Sequence, residues 1–230
     1  KTIELFGIAF LSSVVFFLTT GGGIINFNNV DWLFGPTGIV TDSEQHYIAW
    51  LFFKNSELLQ FPLFKNYAYG MEISSSLIHS DSVPIMGIIF KIFKSSLPFH
   101  FQYFGLWIYI CFVLQGIFSY LLVRRFTSSF VISAICVGFF LISPIFTYRL
   151  FWSHEALFGQ WILLFGIYLY LQNFNLKKWL FLAFLSLLIH PYFFAMSTGL
   201  FLASLIKEYK LKRKSSYHLL KDFFLFLFFA

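Results

Sequence analysis

Long apolar runs separated by short polar segments dominate the chain. A helix that crosses a bilayer needs about 20 mostly apolar residues. Residues 5–25, 101–123 and 130–148 meet that requirement, residues 156–171 form a shorter run, and another apolar run begins at Phe223. This pattern predicts an all-α fold, a polytopic transmembrane helical bundle.

The segment between Lys178 and Lys207 has its own pattern. It is too long for one span and too short for two, and His190-Pro191-Tyr192 interrupts it near the middle. Because proline lacks an N–H and collides with the preceding turn, it breaks a helix. We therefore predict a hairpin of two short helices.

Composition and charge support a membrane location. Hydrophobic residues make up 59% of the chain and charged residues 11%, whereas soluble domains carry about 25% charge. The formal net charge of +6 is then explained by the excess of Lys and Arg in cytoplasmic loops and by attraction to anionic membrane lipids, and no nucleic-acid partner is expected. Six tryptophans near the predicted span ends are interpreted as interface anchors.

Basic residues predict the orientation. The basic residues between the spans all fall on one side of the membrane if the 179–206 segment returns to the side on which it began. They are Arg124-Arg125, Lys177-Lys178 and the group from Lys207 to Lys214. The N-terminus is then cytoplasmic, and the large loop 26–100 lies outside. The chain starts without Met and stops inside an apolar run, so residues 1–230 are expected to be one transmembrane domain, the N-terminal part of a longer protein.

The 26–100 loop is long enough to contain structure of its own. Thr41-x-x-Glu44 is a capping box, which predicts a helix from there to about Lys54. A second helix is predicted near Asp81. Its apolar positions form one stripe, typical of a helix lying in the membrane interface, at Ile85, Ile88, Ile89, Ile92 and Phe93.

Two aspartates at these helix starts are candidate catalytic residues. Asp42 shares a polar face with Gln45 and His46, which neither capping nor apolar packing explains, so we predict a functional role. Glu44 is interpreted as part of the cap. For Asp81, an N-cap and a catalytic role stay open as alternatives.

Ionisable residues beside the later spans complete the candidate site. Arg149, His154 and Glu155 precede the fourth apolar run, and Phe158 excludes the HExxH zinc pattern. His190 is either a ligand or a partly buried, satisfied histidine. An outer carboxylate can accept a proton from a hydroxyl group, and positive charge on the same side can stabilise a phosphate. Asp42 or Asp81 could supply the first, and Arg149, Lys91 or Lys94 the second.

An ordered string of motifs resembles a known architecture. The string resembles a bacterial family of membrane proteins, itself a domain of unknown function, that is similar to the GT-C class of polytopic glycosyltransferases. It consists of Asp31-Trp32-Leu33, Thr41-Asp42-x-x-Gln45-His46-Tyr47-x-x-Trp50-x-Phe52-Phe53, Phe61-Pro62-Leu63, Asp81-Ser82-Val83-Pro84, Phe101-Gln102-Tyr103-Phe104-Gly105-Leu106-Trp107, Arg149-x-x-x-x-His154-Glu155-Ala156 and His190-Pro191-Tyr192.

The resemblance implies a specific reaction. A sugar would pass from a polyprenyl-phosphate-linked donor to a glycan, lipid or protein acceptor on the outer face of the bacterial inner membrane. Asp42 would match the acidic residue that GT-C enzymes carry in the first outer loop, where it serves as a base or as a ligand of a metal near the acceptor. One position departs from the family pattern: Thr41 precedes this Asp, where the family usually has Gly. A divalent cation, Mg²⁺ or Mn²⁺, would then be held by Asp42 and Asp81.

The remaining motif residues would bind substrate in that site. They are Gln45, His46, Arg149, His154, Glu155, His190 and Tyr192. Two other interpretations are retained. A lipid or glycan transporter or flippase would also use proline-broken helices, but we find no internal repeat. A non-catalytic membrane scaffold would leave the candidate residues dispersed.

Overall fold

A computed structural model of the protein describes residues 2–35, 41–213 and 215–229 and confirms an all-α chain. Two very short strands, β1 (Lys65–Asn66) and β2 (Ser75–Ser76), pair antiparallel inside the long loop. The helices are α1 (Thr2–Thr20), α2 (Asp42–Asn55), α3 (Pro84–Ile92), α4 (Phe104–Val123), α5 (Phe130–Leu141), α6 (Pro144–Phe151), α7 (Trp161–Leu171), α8 (Leu176–Ile189), α9 (Pro191–Lys210) and α10 (Ser216–Phe229).

Three helical segments of the described chain are long and apolar enough to cross a membrane. They are Thr2–Thr20, Phe104–Val123 and Phe130–Phe151, and Ala156–Leu171 is a shorter apolar helical segment. The first ends five residues before its predicted limit. Gly21 and Gly22 have φ angles of 70° and 75°, and this left-handed conformation, which glycine adopts without steric cost, ends the helix.

The third segment is interrupted, contrary to the predicted continuous helix over 130–148. α5 ends at Leu141, and α6 begins at Pro144 with Ser143 as its N-cap. The Ser143 side chain accepts a hydrogen bond from the Phe146 N–H at 3.4 Å. Proline removes one backbone donor and restricts the residue before it, so the chain bends at this point and starts a new helix.

The predicted hairpin is present. α8 and α9 meet at His190, and they pack against each other. α9 is longer than predicted, with 20 residues. Lys207, near its end, donates to the Gln172 carbonyl at 3.2 Å, so the hairpin returns to the end of the bundle where α8 starts. α10 begins at Ser216, before the apolar run at Phe223.

α4 is the central helix of the bundle. It packs against α1, α5 and α7. Two glycines allow the close approach of its neighbours: a Cβ on Gly105 would meet the Ile24 carbonyl oxygen at 1.7 Å, and one on Gly116 would meet Ser12 Oγ at 2.0 Å. Small residues at helix contacts permit backbone proximity in membranes, where dispersion forces replace the hydrophobic effect.

The loop between α1 and α4 folds over one end of the bundle, which we call the loop side. Gln102 anchors its end: its Nε2 donates to the carbonyls of Ile24 and Asn26, each at 2.8 Å. Trp50 of α2 donates to the Phe101 carbonyl at 3.1 Å, and its ring packs edge-on against Tyr103, with 4.8 Å between ring centroids. The loop therefore has its own aromatic core.

The two predicted loop helices, α2 and α3, are both present. Ile89, Ile92 and Phe93 of the apolar stripe on α3 are exposed, as expected for a face that meets lipid. Lys91 is buried instead of solvated. Its Nζ donates to Ser56 Oγ at 2.7 Å and lies 3.8 Å from the centre of the Phe53 ring, at the C-terminal end of α2.

The tryptophans differ from the interpretation as interface anchors. Trp152 is exposed, at 63%. Trp50, Trp107, Trp161 and Trp179 are buried inside the protein, so they contribute to the core. Their indole rings fill space between helices that small side chains would leave empty.

Basic residues gather at the end opposite the loop side. Arg124 pairs with Glu4 at 3.5 Å, and Arg125 donates to the Leu171 carbonyl at 3.3 Å. Lys207 also contacts this end through Gln172. Their common position agrees with the predicted charge asymmetry, while Lys214 lies outside the described residues. Which end faces the cytoplasm remains a prediction.

We expect Gly105→Ala to destabilise the bundle. The added methyl group would collide with the Ile24 carbonyl, a backbone atom that cannot move without shifting the loop, and overpacking costs about 1–3 kcal/mol. Thermal unfolding in detergent should show Tm lower by about 5 °C. Gly138→Ala in α5 is the matched control, because a Cβ there meets nothing within 4 Å. An equal Tm for both variants would contradict the close contact.

Candidate functional site

Four ionisable side chains from four separate segments meet at the loop side. We call them the His–carboxylate cluster: His46 on α2, Asp81 before α3, Glu155 between α6 and α7, and His190 between α8 and α9. Side-chain atoms of His46, Asp81 and Glu155 that can bind a metal lie within 4.8 Å of one another. The folded loop and the ends of the bundle thus contribute jointly to one site.

Glu155 connects the loop to the bundle. It is only 3% exposed. One carboxylate oxygen accepts a hydrogen bond from Ser43 Oγ, and the other pairs with His46 Nδ1. The Trp107 indole N–H on α4 donates to the Glu155 backbone carbonyl at 2.7 Å. Both the backbone and the side chain of Glu155 are therefore held in place.

Asp81 does not cap the helix that follows it. The N-cap of α3 is Val83, with no side-chain cap hydrogen bond. Asp81 and Val83 have φ angles of 51° and 50°, a left-handed conformation that is strained for a β-branched residue such as Val83. Asp81 Oδ1 is buried and has no hydrogen-bond partner among the described residues. The carboxylate faces the cluster, where it accepts a hydrogen bond from the Ala156 N–H, instead of the start of α3.

His190 approaches Asp81 from the hairpin. Its Nε2 lies 3.5 Å from Asp81 Oδ1, a distance that is long for a hydrogen bond. Its Nδ1 accepts the Tyr192 backbone N–H at 3.1 Å, so the proton of the neutral ring is on Nε2, toward Asp81. The rings of His190 and Tyr192 are 4.7 Å apart, and Tyr192 is 65% exposed.

The other predicted site residues lie around the cluster. Asp42 and Gln45 are exposed, whereas His46 on the same helix is buried, so the predicted polar face is divided between solvent and interior. Arg149 and His154 are half-buried. Thr41 Oγ1 accepts the Glu44 N–H at 3.3 Å, in agreement with the capping interpretation of Glu44.

Burial and charge shift the pKa values of the cluster. Desolvation raises the pKa of Asp81 to about 6; His46 opposes the rise, Glu155 adds to it, and Ala156 N–H and Arg149 oppose it. Desolvation lowers the pKa of His46, but the hydrogen bond to Glu155 and the negative charges of Glu155, Asp81 and Asp42 together raise it above its usual value. The cluster therefore combines an acid and a histidine whose pKa values are both raised.

Sequence reasoning missed Ser43 and Trp107. Ser43 precedes His46 by three residues and so lies on the same side of α2, which was a usable signal. Trp107 was interpreted as an interface anchor, and its bond to the Glu155 carbonyl depends on a contact between distant segments. Among the described residues, the group that could hold a metal consists of His46, Asp81 and Glu155, and Asp42 is not in it.

This arrangement has defined chemical capacities. Buried carboxylates next to imidazoles can accept a proton from a substrate hydroxyl or hold a divalent cation. Asp42 and Arg149 act on the cluster through their charges, and their partial exposure makes them accessible to a substrate.

We expect Asp81→Asn to stabilise the metal-free protein at pH 8. The folded-state pKa of about 6 lies above the ordinary 3.8, so the stabilising contribution of Asp81 is present below pH 3.8 and is lost as the pH rises through 6. The asparagine side chain is neutral at every pH, so the variant does not lose this stability above pH 6. In detergent with chelator, Tm should rise by about 2–4 °C at pH 8, and the difference should shrink below pH 6. A lower Tm at pH 8 would contradict the cost of ionising the desolvated Asp81 carboxyl group.

Comparison with known proteins finds one family. No curated protein and no solved structure matches the chain. The model of a family described as "Domain of unknown function (DUF6311)" matches residues 9–230. Because this match covers nearly the whole chain, including all four cluster residues, the protein belongs to the DUF6311 family.

Proposed function

We propose that the protein is a membrane glycosyltransferase that moves a sugar from a polyprenyl-phosphate-linked donor to an acceptor at the outer face of a bacterial inner membrane. The observation that carries the proposal is the convergence of His46, Asp81, Glu155 and His190 beneath a folded loop at one end of the bundle. Capping of α3 does not explain Asp81, and a scaffold has no need for a buried carboxylate oxygen that lacks a hydrogen bond.

The position of the cluster suits a lipid-linked substrate. It lies at the ends of the apolar helices, where the headgroup of a membrane lipid would be found. A cleft of about 440 Å³ lies between α5, α6 and α7, lined mainly by apolar residues. Gln160 and Ser143 line the cleft. Ser143 is the N-cap of α6, and Arg149 lies in the last turn of that helix. The polyprenyl chain would occupy this cleft with its phosphate near Arg149.

The proposed reaction assigns a role to each group. The acceptor hydroxyl gives its proton to a carboxylate, Asp42 or Asp81, as its oxygen bonds to the anomeric carbon. The bond between that carbon and the phosphate oxygen breaks, and the lipid phosphate leaves with the bonding electrons. Arg149 stabilises the departing phosphate through its guanidinium donors.

The other candidate residues would orient the sugar. Gln45 and Tyr192 are exposed on the two elements that flank the cluster, α2 and the start of α9. His154 is adjacent to Glu155 in the chain and half-buried. An aromatic face and an amide are the groups that pack against and hydrogen-bond sugars. Membership of the GT-C superfamily is part of the proposal and rests on the motif string.

We expect Asp42→Asn or Asp81→Asn, whichever variant removes the general base, to reduce transfer by at least about 100-fold, the range for loss of that group. The full-length protein would be reconstituted in vesicles that contain a polyprenyl-phosphate donor labelled in its sugar, with membrane extract as the acceptor source. Release of unlabelled polyprenyl phosphate reports the cleavage. Glu72→Gln, an exposed loop acid away from the cluster, is the matched control and should retain activity.

Four outcomes separate the alternatives. Cleavage that depends on Asp42 or Asp81 supports a transferase. Movement of the intact labelled lipid across the vesicle membrane, without cleavage, would replace the proposal with a flippase. Unchanged cleavage in both variants would remove these aspartates from the reaction, and an absence of both cleavage and movement in the unmodified protein would favour a scaffold.

A further inference from the structure

We infer that His46, Asp81 and Glu155 form a binding site for one first-row transition-metal dication, with Zn²⁺ preferred to Mn²⁺ and both preferred to Mg²⁺. The site stands on its own geometry, but any catalytic role for the metal rests on the proposed function. The ligand set differs from the pair of aspartates expected from the sequence, because Asp42 is exposed and outside the group.

The first argument is the short distance between donor atoms that come from separate segments of the chain. One ligand-capable atom from each of the three side chains lies within 4.8 Å of the others, so a single cation between them needs only small side-chain movements to reach bonding distances of about 2.0–2.2 Å. The residues come from α2, the segment before α3 and the α6–α7 connection. Three segments that are distant in sequence thus bring donor atoms to one point.

Charge is the second argument. A metal-bound imidazole is neutral, and two carboxylate ligands would balance the charge of a divalent cation. Asp81 Oδ1 is a buried oxygen with no hydrogen-bond partner among the described residues. His190 Nε2 is 3.5 Å from it, which is long for a hydrogen bond, and a buried polar atom without a hydrogen bond costs free energy. A metal ion would give this oxygen its missing partner.

The donor atoms indicate the class of metal. Mg²⁺ and Ca²⁺ are held by oxygen ligands and retain water, whereas imidazole nitrogen suits Zn²⁺ and its neighbours. Three protein ligands with one open position are typical of catalytic zinc sites. His190, whose Nε2 lies 3.5 Å from Asp81 Oδ1, would support Asp81 from outside the ligand group.

Supporting hydrogen bonds hold the ligands in position. Ser43 donates to the Glu155 carboxylate and Trp107 to the Glu155 carbonyl. Ser82 Oγ donates to the His46 carbonyl at 2.9 Å, and the Tyr103 hydroxyl donates to the Ser82 carbonyl. Such outer partners orient metal ligands and reduce the reorganisation needed on binding. The tie from Tyr103 through Ser82 to His46 therefore links two ligand-bearing segments to α4.

The test is a metal titration of the full-length protein in detergent after removal of bound metal with EDTA. Co²⁺ serves as the probe, because its visible absorption reports nitrogen and oxygen coordination, and Zn²⁺, Mn²⁺ and Mg²⁺ are then added as competitors. We expect saturation at one Co²⁺ per chain, displacement by Zn²⁺ at the lowest concentration, and no displacement by Mg²⁺ at equal concentration.

Substitutions assign the ligands. Asp81→Asn, Glu155→Gln and His46→Ala should each weaken Co²⁺ binding by more than about 100-fold, the upper end of the cost of losing a supporting partner. His154→Ala is the matched control, since this histidine neighbours Glu155 but lies outside the ligand group. Glu155→Gln also breaks the pair with His46, so a loss of Co²⁺ binding in that variant does not separate misfolding from the loss of a ligand. Asp81→Asn, which we expect to fold well, makes that distinction.

The results separate this inference from the proposed function, because the titration contains neither donor nor acceptor. Absence of saturable Co²⁺ binding, equal binding in Asp81→Asn, or Mg²⁺ competing as well as Zn²⁺ would each overturn the metal site. Site-specific binding together with absence of sugar transfer would contradict the proposed function alone. Transfer that is unaffected by EDTA, with no Co²⁺ binding, would contradict the metal site alone.

Discussion

The pairing of Glu155 with Ser43 and His46 is the interaction on which the rest of the loop side depends. Glu155 is almost fully buried and ionised groups are costly to bury alone. Its oxygens are satisfied only if α2 of the loop lies directly above the α6–α7 connection. The same pairing therefore positions the loop, closes the end of the bundle and creates the candidate site.

The bundle provides a rigid base for this contact. α4 contributes the Trp107 indole that holds the Glu155 backbone, and Gly105 on the same helix allows the Ile24 backbone to pass closely. Helix packing within a membrane depends on such close approach and on hydrogen bonds between helices. The site is consequently held by regular elements even though three of its four residues, Asp81, Glu155 and His190, lie between α-helices.

Strain and incomplete satisfaction occur at the cluster, as they do at several other positions of the described chain. Asp81, Val83 and Ser153 have positive φ angles, and Asp81 Oδ1 lacks a hydrogen-bond partner within the described chain. Such features cost free energy, so they persist where surrounding contacts impose them, commonly at sites of function. The proposed partner of the carboxylates is a bound cation, and the proposed partner of Arg149 is the phosphate of the substrate.

The sequence by itself determined the local and the periodic features: the helical class, the span positions to within a few residues, the hairpin break at His190, the cap at Thr41 and the apolar stripe on α3. These depend on side-chain period and on proline or capping chemistry within a few residues, which a sequence displays directly. It also named every cluster residue as a candidate. Only the tertiary structure decided that Asp81 is free of capping, that Trp107 is buried, and that His46, not Asp42, faces Glu155. Those outcomes depend on contacts between residues separated by tens of positions, because the direction of a buried side chain is set by the charge or hydrogen-bond partner that another segment brings to it.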